Sequence, residues 1–115
     1  MKDFELFGFL FEALCIRDLM IYAEQLDGTV FHYRDSHGLE CDAVIRFNSG
    51  DYALVEVKLG GKAEEAAAEG LHKLENLLTS KEFAPPAFKM IVTAGEYAYT
   101  RKDGIMVVPI GCLKH

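Results

Sequence analysis

Two stretches of alternating apolar and polar residues, joined by a short turn, constrain the fold of this chain more than any other feature. The stretches run from Leu39 to Phe47 and from Tyr52 to Leu59, with Asn48-Ser49-Gly50-Asp51 between them. Alternation with a period of two predicts half-buried strands, and the turn residues predict that the strands form an antiparallel hairpin. The fold is therefore expected to contain a sheet with this hairpin in it.

A helix and a further strand follow the hairpin and indicate how the sheet continues. Gly60-Gly61 ends the second stretch, and residues 62–79 begin rich in Ala and Glu and end with a leucine stripe, a pattern typical of an amphipathic helix. The continuous apolar run from Phe88 to Thr93 predicts a buried strand. A helix between two strands is the usual right-handed crossover of parallel strands, so we expect a mixed sheet with helices packed on it.

Elements on either side of this region complete the predicted fold class. Apolar residues recur at intervals of three and four from Phe4 to about Leu26, which predicts an amphipathic helix with a broad buried face. Val30 to Arg34 and Ile105 to Pro109 have the pattern of short strands. The predicted order is αβββαβ with an extra strand, an α/β fold with a mixed central sheet flanked by helices. Residues 1–115 are expected to form a single domain.

Composition narrows the setting and the kind of metal site. No run approaches the roughly 18 apolar residues of a membrane span and no signal-peptide pattern is present, so we expect a cytoplasmic protein without membrane contact. Cys15, Cys41 and Cys112 are far apart and are predicted to be reduced thiols in the core. The histidines are scattered as well, so a bound metal ion would need oxygen ligands.

The overall charge limits the ways in which this chain could bind nucleic acid. The net charge of −6 argues against a general nucleic-acid coat, because nonspecific affinity depends on neutralising phosphates with lysine and arginine. A magnesium nuclease tolerates an acidic total, because the ion that it holds cancels part of the charge.

Charged residues on the predicted hairpin form the candidate site, provided that the strand register allows it. Asp42 joins Glu56 and Lys58 on one side of the sheet only if paired positions have an even sum, which requires a loop with an odd number of residues. A three-residue loop from Ser49 to Asp51 would set Asp42 opposite Lys58. A four-residue loop without a bulge would instead put Asp42 and Glu56 on opposite faces, and no site would exist.

The chemistry predicted for this site is metal-assisted phosphodiester cleavage. Asp42 and Glu56 are placed to share Mg²⁺ or Mn²⁺, with the carbonyl of Val57 as a further oxygen ligand. Lys58 would orient or help deprotonate the attacking water, or stabilise charge on the phosphate. Glu12 is the natural fourth member if the first helix overlooks this face of the sheet.

A simpler interpretation explains the same residues without a site. Charged and apolar residues alternate on any half-exposed antiparallel strand, and a Glu-x-Lys pair is common on solvated sheet faces. Glu40, one strand step from Asp42, is a weaker candidate ligand. The basic and aromatic segment from Tyr97 to Lys102 could touch a nucleic-acid backbone or simply form a structural hairpin. Glu56 and Lys58 favour a functional interpretation, because uncompensated charge on a central, covered strand is costly.

A set of short sequence elements spread from Gly8 to Leu113 resembles a known domain. The elements are Gly8-Phe9-Leu10-Phe11-Glu12, Arg17-Asp18-Leu19 with Tyr22-Ala23, His32-Tyr33-Arg34-Asp35, Gly38-Leu39-Glu40-Cys41-Asp42, Val55-Glu56-Val57-Lys58-Leu59-Gly60, and Asp103-Gly104 followed by Val108-Pro109-Ile110. Their combination resembles the C-terminal domain of uncharacterised bacterial and archaeal AAA-type ATPases. That domain is similar to the PD-(D/E)XK, or restriction-endonuclease-like, nuclease superfamily.

The resemblance implies a role for each candidate residue and two partners. Glu12 matches the acidic residue of the helix, Asp42 the metal-binding aspartate, and Glu56 with Lys58 the Glu-x-Lys pair. The implied partners are DNA and the P-loop ATPase domain of the same longer protein. We therefore expect a Mg²⁺-dependent DNA endonuclease. The alternatives are a noncatalytic module that binds DNA or its ATPase partner, and an interaction domain that supports oligomerisation through the apolar face of the first helix.

Overall fold

The helices and strands follow the order that the sequence predicts, with one short strand added. A computed structural model describes residues 3–113. In chain order, the elements are α1 (Asp3–Gln25), β1 (Gly28–Arg34), β2 (Glu40–Phe47), β3 (Tyr52–Lys58), α2 (Glu64–Ser80), β4 (Phe88–Thr93), β5 (Tyr99–Thr100) and β6 (Met106–Pro109), with 3-10 turns at Gly61–Ala63 and Ile110–Leu113.

The strands form one mixed six-stranded sheet with the order β1-β2-β3-β4-β6-β5. The pairs β1–β2, β2–β3 and β5–β6 are antiparallel, whereas β3–β4 and β4–β6 are parallel. The helix α2 connects the parallel neighbours β3 and β4, which confirms the predicted crossover. The two-residue strand β5 was not predicted, because so short a stretch shows no alternation.

Helices cover both faces of the sheet, and each face has its own apolar core. On the α1 side, the buried residues are Cys15, Leu19, Ala23, Ala43, Ile45, Ala53, Val55, Val57, Met90, Val92 and Leu113. On the α2 side, they are Cys41, Leu54, Ala67, Ala68, Leu71, Leu74, Ile91, Ile105 and Val107. A large aliphatic side chain that becomes fully buried contributes roughly 1.5–3 kcal/mol. These two layers hold the central strand β3 between them, and five consecutive residues, Ala53 to Val57, are buried.

The helix α1 buries a narrower face than its sequence predicts. Cys15, Leu19 and Ala23, spaced by four residues, are fully buried against the sheet. The first turns are also apolar on the side that points away from the sheet, where Phe7 is 59% and Leu10 is 54% exposed. A helix that is apolar all round gives no reliable indication of which side is covered. Within residues 3–113, no helix is both long and apolar enough to cross a bilayer.

The cysteine prediction is correct for two of the three residues. Cys15 and Cys41 are buried, and burial raises the pKa of each thiol to about 12. Both behave as small core residues. Cys112 is exposed on the C-terminal 3-10 turn, so its predicted core position is wrong.

The hairpin has the predicted parity but a different register. Arg46 pairs with Tyr52, so paired positions have an even sum, as the candidate site requires. The loop is the three-residue alternative, but it begins one residue earlier, at Asn48 rather than Ser49, and the Phe47 N–H donates to the Asp51 carbonyl at 2.9 Å across it. The reason is Gly50, which takes a positive φ of 98° while its N–H donates to the Phe47 carbonyl at 2.9 Å. This offset corrects the predicted partner of Asp42 from Lys58 to Glu56.

Candidate functional site

A β-bulge positions Asp42 within the sheet. Phe31 pairs with Val44 and Tyr33 pairs with Cys41, so one residue of β1 lies opposite two residues of β2, Asp42 and Ala43. The bulge reverses the sides on which the side chains at the beginning of β2 lie. As a result, Cys41 belongs to the α2-side core although Ala43, two residues later, belongs to the α1-side core. The predicted uniform alternation of this strand is therefore wrong at Asp42. Bulges of this kind re-aim side chains and are enriched beside functional sites.

The strands β2 and β3 separate at the point where Asp42 lies. Their regular pairing ends at Ala43 and Val55, one position before Asp42 and Glu56. Beyond that point, the Asp42 carboxylate replaces a ladder bond, because its Oδ2 accepts a hydrogen bond from the Val57 backbone N–H at 2.8 Å. This contact fixes the carboxylate in the gap between the two strands.

Glu56 is buried beside Asp42 and holds its proton. The residue is only 8% exposed. Burial, a hydrogen bond shared with the Asp42 carboxyl group and repulsion from Asp42 together raise the pKa of Glu56 to about 9, while Lys58 acts to lower it. Two interacting carboxyl groups, one of them buried, favour one shared proton or a bound cation. The two carboxyl groups are therefore together, not on opposite faces of the sheet.

Glu12 and Lys58 lie within the electrostatic range of this pair. Burial, followed by repulsion from Asp42, raises the pKa of Glu12, and Lys58 acts to lower it. Glu12 is therefore near enough to Asp42 and Lys58 for their charges to act on it, and its role in the site stays a prediction. Lys58 is half-exposed at the end of β3, and no ion pair of its ammonium group is found among residues 3–113.

Glu40 is engaged elsewhere and remains the weaker candidate. Its carboxylate accepts a hydrogen bond from the Arg34 Nε at 3.2 Å, and the second guanidinium contact is 3.1 Å long. The His32 ring lies 3.8 Å from the same oxygen. These contacts hold Glu40 at the β1 edge of the sheet.

The donor set at the fork suits a hard cation that keeps most of its water. In the part of the chain that the structure describes, no three His, Cys, Asp or Glu side chains are arranged around one metal position. Mg²⁺ is commonly bound by only one or two carboxylates, and waters complete its octahedron. Asp42, Glu56 once deprotonated, and the Val57 carbonyl meet that requirement. A cation would offset both the burial and the repulsion from Asp42 that raise the Glu56 pKa, so the chemistry of these groups suits Mg²⁺ or Mn²⁺.

The basic and aromatic segment near the C-terminus has a structural role in this fold. The Arg101 guanidinium pairs with Glu64, with Glu65 at 2.9 Å and with Asp103 at 3.2 Å. The Tyr99 hydroxyl also donates to Glu64. These contacts tie the β5–β6 region to the start of α2, so of the two interpretations of the segment from Tyr97 to Lys102 they favour the structural one. The sequence contains no short-range signal that would have indicated this long-range pairing.

Comparisons with known proteins identify a family but no activity. A family model described as "Domain of unknown function (DUF4143)" matches residues 7–113. No curated protein matches the sequence.

A solved structure has a similar fold. It is a half-complex from a tetradecameric assembly of Thermococcus gammatolerans McrB AAA+ hexamers with bound McrC. The similarity to one of its chains has a TM-score of 0.57 and 15% sequence identity, and covers 89% of this chain but 27% of that chain. The present chain thus corresponds to about a quarter of that longer polypeptide, and the likeness concerns the fold.

Proposed function

The chain belongs to the DUF4143 family, and from that premise we propose that it is a Mg²⁺-dependent DNA endonuclease-like domain related to the PD-(D/E)XK superfamily. The observation that supports this proposal best is the strand fork, where the carboxyl groups of Asp42 and Glu56 meet beside Lys58. Two carboxylates and an ammonium group at the end of a central strand are the apparatus that metal-assisted phosphodiester cleavage needs.

Each residue has a distinct task in the proposed reaction. Mg²⁺, when bound, would polarise the scissile phosphate and offset the charge that develops on it. Asp42 and Glu56 would hold the ion, and the hydrogen bond from the Val57 N–H orients the Asp42 carboxylate before the ion arrives. Lys58 would position the attacking water or stabilise charge on the phosphate. Glu12, from α1, would accept hydrogen bonds from water at the outer edge of the site.

The energetic cost of the arrangement also favours a functional role. A buried carboxyl group that lies against another carboxyl group destabilises the fold at neutral pH, because either a charge or an extra proton must be held there. A leucine or glutamine at position 56 would avoid that cost. Groups with strongly perturbed pKa values at the end of a strand are typical of catalytic sites.

A plasmid-nicking assay tests this proposal. The wild-type protein should convert supercoiled DNA to open-circular or linear DNA in Mg²⁺ or Mn²⁺ and should be inactive in a chelator. Asp42→Asn and Lys58→Met should each reduce the rate at least 100-fold, since each removes a group of the site. Glu69→Gln, an exposed carboxylate on α2, is the matched control and should retain full activity. Cleavage that persists in Asp42→Asn would assign the activity to a contaminant and contradict the proposal.

A second candidate function, docking onto an AAA+ ATPase, is favoured by the outward face of α1. Phe7, Leu10, Leu14 and Ile21 are 59%, 54%, 42% and 46% exposed, and their spacing of three, four and seven residues is that of a helix–helix seam. An AAA+ partner is the natural choice, because the P-loop ATPase domain of the same longer protein is the partner that the resemblance implies. The solved structure with the similar fold is also an assembly of AAA+ hexamers.

Calorimetry with the P-loop ATPase domain of a longer family member tests the docking candidate. Binding should be saturable and should be lost when Leu10 and Leu14 are both replaced by Glu, while Asp42→Asn should bind normally. If the double variant binds as tightly as the wild type, this face of α1 is not the docking surface.

A further inference from the structure

An aromatic groove crosses the sheet on the α2 side, next to the edge strand β1. Two adjoining hollows of about 460 and 170 Å³ share Tyr33, Val44, Tyr52 and Phe83 as walls. Phe31 closes the larger hollow on the β1 side. Phe31 and Phe83 are 48% and 58% exposed, so both rings present accessible faces to the groove.

The strand register explains why these side chains line one groove. Phe31 lies opposite Val44, and Arg46 lies opposite Tyr52, so all four point to the same face of the sheet. The Tyr52 hydroxyl donates to the Ala84 carbonyl at 2.6 Å. This bond ties the loop that carries Phe83 to the sheet, and the groove is therefore held open by the fold itself.

The groove has a cation and no anion among its walls. The chain has 18 acidic and 12 basic residues, yet no Asp or Glu lines either hollow. Arg46 is on the wall of the larger one. Arg17, Arg34 and Arg101 each form an ion pair, whereas none is found for Arg46 within the described range 3–113. An exposed, unpaired guanidinium beside aromatic rings is suited to a nucleotide, since its phosphate is an anion and its base is a planar ring.

We propose that this groove binds a single-stranded nucleic-acid segment, with bases stacked on Phe31 and Phe83 and a phosphate held by Arg46. The inference deepens the proposed function and rests on it, because it names an unpaired strand as the form of DNA that the domain engages. Stacking on aromatic rings tolerates any base, since every base has a flat face. Arg46 is four residues from Asp42 along β2, roughly 13 Å at the usual rise of a strand. One strand could therefore pass from the groove toward the fork between β2 and β3.

Fluorescence anisotropy of a labelled thymine oligonucleotide of roughly ten nucleotides tests the proposal. The measurement is made in a chelator, so that it does not depend on metal binding or cleavage. Phe31→Ala and Phe83→Ala should each weaken binding about 5- to 100-fold. Phe83→Trp, which keeps an aromatic ring at that position, should bind about as tightly as the wild type. Arg46→Gln should weaken binding and lower its dependence on salt. Thermal unfolding of each variant checks that these exposed positions leave the fold intact.

A further variant and the chelator separate the groove from other surfaces and from the cleavage site. Tyr97→Ala removes an aromatic ring that is 77% exposed at another surface and should leave binding unchanged. Because binding is measured in a chelator, where no metal-dependent cleavage occurs, a failure of the nuclease proposal would not be mistaken for a failure of the groove. The inference is overturned if Phe31→Ala, Phe83→Ala and Arg46→Gln all bind like the wild type. It is also overturned if the wild type binds a phenylalanine-rich peptide there and no oligonucleotide.

Discussion

One cluster of charged residues lies at the fork between β2 and β3 and another joins the β5–β6 turn to α2, and the two differ in how their charge is balanced. In the Arg101 cluster, one guanidinium contacts Glu64, Glu65 and Asp103, and His72 adds a hydrogen bond of 3.0 Å to Asp103. Burial acts to raise the Asp103 pKa, but the bonds from His72 and Arg101 hold it well below its usual range. At the strand fork, burial and Asp42 instead raise the pKa of Glu56.

The opposite directions of these pKa shifts distinguish a cluster that stabilises the fold from a carboxyl pair that destabilises it at neutral pH. Carboxylates with lowered pKa values stabilise the folded state once they are ionised, and they connect the β5–β6 region to α2. A carboxyl group with a raised pKa costs stability when the pH rises above its unfolded value. The carboxylates of the Arg101 cluster are thus neutralised by cationic side chains of the protein itself. At the Asp42–Glu56 pair, the charge of Lys58 does not outweigh burial and repulsion, so the pKa of Glu56 stays raised.

The largest expected effect comes from breaking the balanced cluster. Arg101→Met should lower the free energy of unfolding by about 2–4 kcal/mol, because it leaves partly buried carboxylates without their cation. The measurement is denaturant unfolding at pH 7. The response of the variant to Mg²⁺ should stay the same as in the wild type, since the two clusters share no residue. An unchanged midpoint would show that the cluster contributes little to stability.

The opposite sign is expected when the unbalanced pair is neutralised. Glu56→Gln should raise the free energy of unfolding at pH 8 by roughly 1–3 kcal/mol, because a neutral amide can bond to Asp42 without a charge or a bound proton. The same variant should lose its response to Mg²⁺. A destabilised Glu56→Gln would mean that the Glu56 carboxylate already has a good partner in the folded state.

The dependence of stability on pH should separate the two clusters a third way. Glu56 has an ordinary pKa of 4.5 and a folded value of about 9, so the folded state keeps a proton that the unfolded state releases. Stability should therefore decline as the pH rises through that window, by at most about 1.4 kcal/mol per pH unit. The lowered pKa values of Glu64 and Asp103 have the opposite sign and act only under acidic conditions, below about pH 4. Thermal unfolding from pH 5 to 9 should slope downward in the wild type and be nearly flat in Glu56→Gln.

The smallest effect is expected at a solvated ion pair that belongs to neither cluster. Glu69 and Lys73 are one helical turn apart on α2, 3.2 Å from each other, and both side chains are largely exposed. Glu69→Gln should change the free energy of unfolding by less than about 0.5 kcal/mol. A larger loss in chemical denaturation would show that exposed pairs matter in this fold, and the comparison of the two clusters would then lose its reference.

The parts of this fold that sequence reasoning predicted are those set by local patterns. The strand from Phe88 to Thr93 has the predicted bounds, because a continuous apolar run between breakers has few alternatives. The turn residues left the hairpin parity open between a three-residue and a four-residue loop, and the structure has the three-residue loop. The loop lies one residue earlier than considered, which moves the partner of Asp42 by two residues, because the choice depends on which loop position gives Gly50 its positive φ.

Features that depend on long-range contacts were beyond the sequence. The bulge at Asp42 exists only because β1 pairs with β2 in two registers, and nothing near Asp42 signals it. Asp42 and Glu56 were predicted to lie on the same side of the sheet, but with Asp42 opposite Lys58 and not opposite Glu56. The buried face of α1 was predicted too broad, because apolar residues occupy both sides of the helix and their spacing does not show which side is covered. The roles of the candidate residues in catalysis, and the metal, stay predictions.

Metal titration followed by thermal unfolding tests the central claim most directly, because a ligand that binds only the folded state stabilises it by mass action. At pH 8, Mg²⁺ or Mn²⁺ at about a hundred times its dissociation constant should raise the free energy of unfolding of the wild type by about 2.7 kcal/mol. The gain should shrink at lower pH, because the ion must displace the Glu56 proton and protons then compete more strongly for that carboxylate. It should vanish in Asp42→Asn and persist in Glu69→Gln. An equal gain in Asp42→Asn and the wild type, or no gain in either, would contradict a metal site at the strand fork.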